Sequence, residues 1–120
     1  MLKILLVDDN KYVIEDIGGA LESMGHYCIG EVNPLHGLEL YKKGDFDVVI
    51  VDVKMPGMNG IEFLKEVQQF NPNAAVIILT SYGDSETYKE AMNNRAYAFF
   101  SKPSMDIREL MECLAKIEHA

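Results

Sequence analysis

An α/β fold built on one parallel sheet is what this 120-residue sequence predicts, and three features predict it. Short apolar runs of strand character alternate with stretches of helical periodicity five times over, the pattern of βα units joined by right-handed crossovers. The run at residues 48–51 (VVIV) is wholly apolar, as a central strand covered on both faces should be. Four runs end on a polar residue suited to phosphate or a metal ion: LKILLV on Asp8 and Asp9, VVIV on Asp52, AAVIIL on Thr80, and YAFFS on Lys102. In a parallel sheet those four ends lie along one edge.

The first strand is expected at residues 2–7. A helix over about 10–24 follows, with Val13, Ile14, Ile17, Leu21 and Met24 at helical spacing; Asp9 or Asn10 can cap it, and Gly25 ends it. Gly18 and Gly19 inside it each cost about 1 kcal/mol relative to alanine, and close packing on the sheet is the simplest reason for them. Residues 26–32 read as a weaker strand interrupted by Gly30. Pro34–Lys43 reads as a short helix closed by Gly44, with Leu35, Leu38 and Tyr41 on one face. The third strand is 47–51. The turn MPGMNG (55–60), rich in Gly and Asn, leads into a helix over Gly60–Phe70 with Ile61, Leu64 and Val67 inward. The fourth strand is 75–80, and Asp84 or Ser85 caps a helix to about Asn93. The fifth strand is 97–101. The last helix is about 104–118, with Ile107, Leu110, Met111, Leu114 and Ile117 on its face. Five strands in an open doubly wound sheet suit the flavodoxin-like order 2-1-3-4-5, in which ligands sit beyond the carboxyl ends of the strands at the switch in strand order. Strands one and three flank that point and carry Asp8, Asp9 and Asp52.

The length suits one domain, residues 1–120. The net charge of -8 argues against nucleic-acid binding, which needs clustered Lys and Arg. No apolar run approaches a membrane span, and the opening MLKILLV stops at two aspartates without a cleavage site, so a cytoplasmic location is expected. Cys28 and Cys113 lack CxxC spacing and read as buried thiols. His26, His36 and His119 read as surface or capping residues.

Three converging carboxylates repel one another unless a cation sits among them. With oxygen donors only, and no Cys or His nearby, Mg²⁺ is favoured over zinc and keeps waters that phosphate oxygens can replace. Lys102 adds a cation, and the Thr80 hydroxyl can donate to a phosphoryl oxygen. Such a set suits phosphoryl transfer, where positioning and charge stabilisation do most of the catalysis. Asp52, the acid without an adjacent duplicate, is assigned as the nucleophile that forms an acyl phosphate.

The segments VDDN (7–10), VDVKMPGMNG (51–60), ILTSY (78–82) and FFSKP (99–103) together resemble a response-regulator receiver domain of bacterial two-component signalling, chemotaxis-type receivers included, along the whole chain. The resemblance implies that Asp52 accepts a phosphoryl group from a sensor histidine kinase or phosphotransfer protein, and that the chain catalyses only its own phosphorylation and dephosphorylation. It implies Mg²⁺ held by Asp9, Asp52 and the Lys54 carbonyl, with Asp8 assisting partly through water. Thr80 and Lys102 would hold the phosphoryl group, and the Lys102–Pro103 bond would be cis. Thr80 and Phe99 would form the switch that alters the surface of the 84–93 helix, the fifth strand and the last helix. That surface would meet an output domain or effector, or a second copy of the chain, although no charge pattern marks a homodimer.

Several positions depart from the family. Phe99 stands where tyrosine or histidine is more frequent, which removes a hydroxyl contact. Asn94–Arg95 replaces a usual glycine, so asparagine is expected to cap that helix end. Tyr97–Ala98 replaces a frequently acidic pair, giving either a partner patch or a buried tyrosine. Lys54 and Tyr82 flank the acceptor and are expected to slow hydrolysis of the acyl phosphate. An aspartyl-phosphate-forming metal-dependent phosphatase is the enzyme alternative, but Lys54 occupies the place where haloacid-dehalogenase-type enzymes need a second aspartate. A flavodoxin-like electron carrier would need a Ser/Thr/Gly-rich phosphate loop where Asp8-Asp9-Asn10 stands.

Overall fold

A computed structural model describes residues 1–81, 83–102 and 106–120. The strands are β1 (Lys3–Val7), β2 (Tyr27–Glu31), β3 (Val48–Val51), β4 (Val76–Thr80) and β5 (Ala98–Ser101). The helices between and after them are α1 (Lys11–Ser23), α2 (Pro34–Lys43), α3 (Gly60–Phe70), α4 (Ser85–Asn93) and α5 (Ile107–Glu118). All pairings are parallel, and the sheet order is β2-β1-β3-β4-β5, as expected.

Alternation along the strands builds two cores. Leu5, Val7, Val49, Val51, Val76 and Ile78 face α2, α3 and α4. Ile4, Leu6, Val48, Ile50, Ile77 and Leu79 face Leu21 of α1 and Leu110 and Leu114 of α5. Each fully buried side chain of this size contributes roughly 1.5–3 kcal/mol. β3 and β4 are buried at every position because helices cover both faces, while edge strand β2 is half exposed.

The helix starts follow side-chain capping, in which an oxygen at the cap takes up an orphan N–H. Asn10 caps α1, Asn33 caps α2, Asp84 caps α4 and Asp106 caps α5. Asn59 and Glu62 form a capping box at α3. The expected last helix began at 104; residues 104 and 105 lie outside the described residues, and Asp106 is the cap. Gly30 does not interrupt β2. It pairs with Leu6, and a Cβ there would stand 2.3 Å from Ile14 Cγ2, so its absence lets α1 lie close. Gly18 is buried beside Leu6 and Cys28, but a Cβ would meet them only at 3.9 and 3.8 Å, and Gly19 faces open space. Close packing therefore does not explain the pair.

The end of α4 carries the expected asparagine cap, whose Nδ2 donates to Glu90 O at 2.8 Å. Asn94 is the C-cap, but the left-handed position belongs to Arg95, at φ 64°. Arg95 N–H donates to Met92 O at 3.0 Å and Ala96 N–H to Ala91 O at 3.0 Å, the paired bonds of a Schellman ending. Gln68 of α3 donates from Nε2 to Arg95 O at 3.2 Å and to Ala74 O at 3.4 Å, tying this turn to the α3–β4 turn. Tyr97, between Arg95 and β5, is exposed, so it is surface rather than core.

Both cysteines are free and half-buried, and burial pushes the Cys28 thiol up to about 11, so it stays protonated. His26 Nδ1 accepts from Leu2 N–H at 3.1 Å, and His119 caps α5. Among the described residues no helix is long and apolar enough to cross a membrane.

Candidate functional site

The carboxyl edge of the sheet carries the predicted residues because β1, β3 and β4 end in register. Val7 pairs with Val51 and Val51 with Ile78, so Asp8 and Asp52 leave adjacent strands at one height. The Asp52 N–H donates to Val7 O at 3.0 Å and prolongs that ladder. Asp8, Asp9 and Asp52 each offer a carboxylate oxygen, and these oxygens lie within 4.8 Å of one another. Asp8 and Asp52 are buried, whereas Asp9 faces solvent.

Lys102 joins them from the end of β5. Its Nζ donates to Asp8 Oδ2 at 2.6 Å and lies 3.5 Å from Asp52 Oδ2. Asp8 Oδ1 accepts from the Asn10 N–H at 2.9 Å, so both oxygens of this acid are engaged. Burial pushes the Asp8 carboxyl above its ordinary value, and the Lys102 and Asn10 bonds pull against that rise. Asp52 Oδ1 accepts from the Val53 N–H at 2.8 Å.

Thr80 ends β4 and is fully buried; its carbonyl accepts from the Lys102 N–H at 2.8 Å, which sets the lysine beside it on the edge. Phe99 is half-buried in β5, paired with Ile78, and its ring meets Tyr88 of α4 edge-on at 5.4 Å. Lys54 is exposed and, with Asp9, Met55, Pro56 and Asn59, lines an open hollow of about 430 Å³ next to the acids. Tyr82 and Pro103 lie outside the described residues, and with them the expected ring over the acceptor and the expected cis bond.

Three carboxylates converge with the Lys102 ammonium against two of them, and every side-chain donor in the acid cluster is a hard oxygen. This set fits Mg²⁺ and not a thiolate- or imidazole-seeking ion. One residue escaped the sequence reading. Gly60 begins α3 against the backbone of Asp52, and a Cβ there would stand 2.1 Å from Asp52 O. The visible signal was a glycine directly after the Asn59 cap.

A profile of the response regulator receiver domain matches residues 4–115. Sporulation initiation phosphotransferase F of Bacillus subtilis is 34% identical over 95% of this chain and 91% of its own length. The uncharacterized transcriptional regulatory protein YesN of the same organism is 36% identical over 98% of this chain, but the chain spans only 34% of YesN. Among solved structures, a CheY-like receiver domain protein from Methanospirillum hungatei superposes with a TM-score of 0.92 at 27% identity, covering 99% of this chain and 95% of that one. The response regulator TrrA of Thermotoga maritima, solved with Mg²⁺ and BeF, gives 0.88 at 29% identity over 98% of this chain and 99% of its own. With sheet order, acid cluster and family profile in agreement, this chain belongs to the response regulator receiver domains.

Proposed function

We propose that Asp52 takes a phosphoryl group from the phosphohistidine of a sensor histidine kinase or phosphotransfer protein. The P–N bond of a phosphohistidine protonated on its other ring nitrogen breaks as a P–O bond forms to an Asp52 oxygen, giving an acyl phosphate and a neutral imidazole that keeps that proton. The observation that carries this reading is the convergence of Asp8, Asp9 and Asp52 within 4.8 Å, with the Lys102 ammonium against two of them.

Asp9, Asp52 and the Lys54 carbonyl would hold Mg²⁺, which supplies positive charge to the phosphoryl oxygens. Asp8, with both oxygens engaged by Lys102 and Asn10, suits an indirect role through water. The Val53 N–H holds Asp52 Oδ1, leaving Oδ2 on the side of Lys102. Lys102 can follow charge from the carboxylates to the incoming group, and the Thr80 hydroxyl is the second donor.

Phosphorylation adds about -1.5 to -2 charge and strong acceptor oxygens. Drawing Thr80 and Lys102 toward them vacates space beside Phe99, whose ring then leaves Tyr88 and moves inward. The face of α4, β5 and α5 changes with it, a population shift between two packings read by an output domain, an effector or a second copy of the chain. The chain acts on itself and not on a turned-over substrate, in the cytoplasm, without touching nucleic acid.

The test is incubation with Mg²⁺ and acetyl phosphate, or with beryllofluoride, read by intact mass and amide NMR. A mass gain of one phosphoryl group in the native chain and none in Asp52→Asn is expected. An equal gain in both would remove Asp52 from the acceptor role.

A further inference from the structure

We propose that Gly60 is a positioning residue for the acceptor: by having no side chain, it lets the first turn of α3 rest on the backbone of Asp52 and Val53, and that contact sets where the Asp52 carboxylate stands. The inference rests on the reading of Asp52 given above and adds to it the element that holds the nucleophile in place.

The geometry leaves no room for anything larger. A Cβ on Gly60 would lie 2.1 Å from Asp52 O, 2.8 Å from Asp52 C and 2.9 Å from Val53 Cα, all backbone atoms that no rotamer change can move. Backbone freedom is not the reason for the glycine, because the described glycines with positive φ are Gly25 and Gly57. Space is the reason.

The contact is also bonded. The Gly60 N–H donates to Val53 O at 2.8 Å, and the Val53 N–H donates to Asp52 Oδ1 at 2.8 Å. The peptide groups on both sides of Val53 are thus tied, one to the start of α3 and the other to the carboxylate itself. The group bonded to Gly60 is the one that leads on to Lys54, whose carbonyl is assigned to the metal. One helix terminus therefore fixes the height of two ligands.

Which side yields to a methyl group follows from the packing. α3 is anchored by Ile61, Phe63, Leu64 and Val67, all buried. Its entry is locked by the capping box, with Glu62 N–H on Asn59 Oδ1 at 2.9 Å and Asn59 N–H on Glu62 Oε1 at 3.1 Å. Residues 52–54 follow the strand as irregular backbone. The helix holds, and the segment carrying the acceptor is displaced by roughly 1 Å, an error that costs about a hundredfold when reacting groups must be aligned.

The experiment compares the native chain with Gly60→Ala and with Val67→Ala, which hollows the core under the same helix away from residues 52 and 53. Mg²⁺ is titrated alone, followed by amide NMR, and acetyl phosphate then gives the phosphorylation rate at saturating Mg²⁺. Gly60→Ala should bind Mg²⁺ about tenfold or more weakly and phosphorylate about a hundredfold more slowly, while Val67→Ala stays within about threefold on both readings. Native rates and affinity in Gly60→Ala, or equal losses in the two variants, would overturn the proposal. A native chain that takes no phosphoryl group would instead overturn the acceptor reading on which it rests. Should Gly60→Ala not fold, hydrogen exchange on the native chain decides. The Gly60 amide should gain protection as Mg²⁺ binds, since clamp and loaded site stabilise each other, and unchanged protection refutes the clamp.

Discussion

Replacing Arg95 with glycine should stabilise this protein, and the size of the gain can be worked from the end of α4. Arg95 sits at φ 64°, where a Cβ crowds the following carbonyl at a cost of about 1–2 kcal/mol. Glycine removes that cost but returns about 0.4–1 kcal/mol, because the unfolded chain gains freedom. The side chain is exposed, so little packing is lost with it. The bonds at this turn run through the backbone N–H groups of Arg95 and Ala96 and the Arg95 carbonyl, and all survive the change. The net gain is about 0.5–1 kcal/mol, which for a domain of this size raises Tm by roughly 2–5 °C. Urea unfolding and calorimetry measure it, with Arg95→Ala as the companion that keeps the Cβ and gains nothing. A glycine variant no more stable than the native chain, or an alanine variant equal to the glycine one, would show that the left-handed turn stores no strain.

Two further outcomes are expected. Gly19→Ala should add about 0.5–1 kcal/mol by urea unfolding, since a Cβ there meets nothing within 4 Å and glycine weakens a helix interior; an unchanged midpoint would point to another role for the pair. The Asp8 carboxyl titrates above its ordinary 3.8, so the folded chain holds that proton more tightly than the unfolded chain, and ionising it opposes folding. In Mg²⁺-free buffer the native chain should therefore lose stability relative to Asp8→Asn as pH rises from 3.8 through the raised value, and Mg²⁺ should offset the loss. A stability difference that stays flat across that range would contradict the burial of a charged acid.

The features written locally in the sequence were legible. β3 is a bare apolar run and is buried at every position, and the caps at Asn10 and Asp84 are each one of the two polar residues that precede helical periodicity there. The site was legible in part because parallel strands carry their carboxyl ends to one edge, so the strand order alone groups Asp8, Asp9, Asp52 and Lys102. What escaped depends on distances between segments. Gly60 looked like one letter of a turn until the Asp52 carbonyl was found against it, and Gly30 looked like a strand breaker until Ile14 filled its place. At the end of α4 the asparagine cap was legible but the left-handed residue after it was not, because asparagine tolerates that region far better than arginine, yet the register of the last helical bonds puts Arg95 there.

Gln68 reaches from α3 to the carbonyls of Ala74 and Arg95, the residues leading into β4 and β5. Those two strands thus start from a common anchorage at the end of the molecule remote from the acids. Strands pinned together at their origin cannot slide past each other to relieve a disturbance at their far tips. On the reading of Asp52 as the acceptor, a new charge at those tips would be answered by rotating side chains and not by one strand shifting against the other.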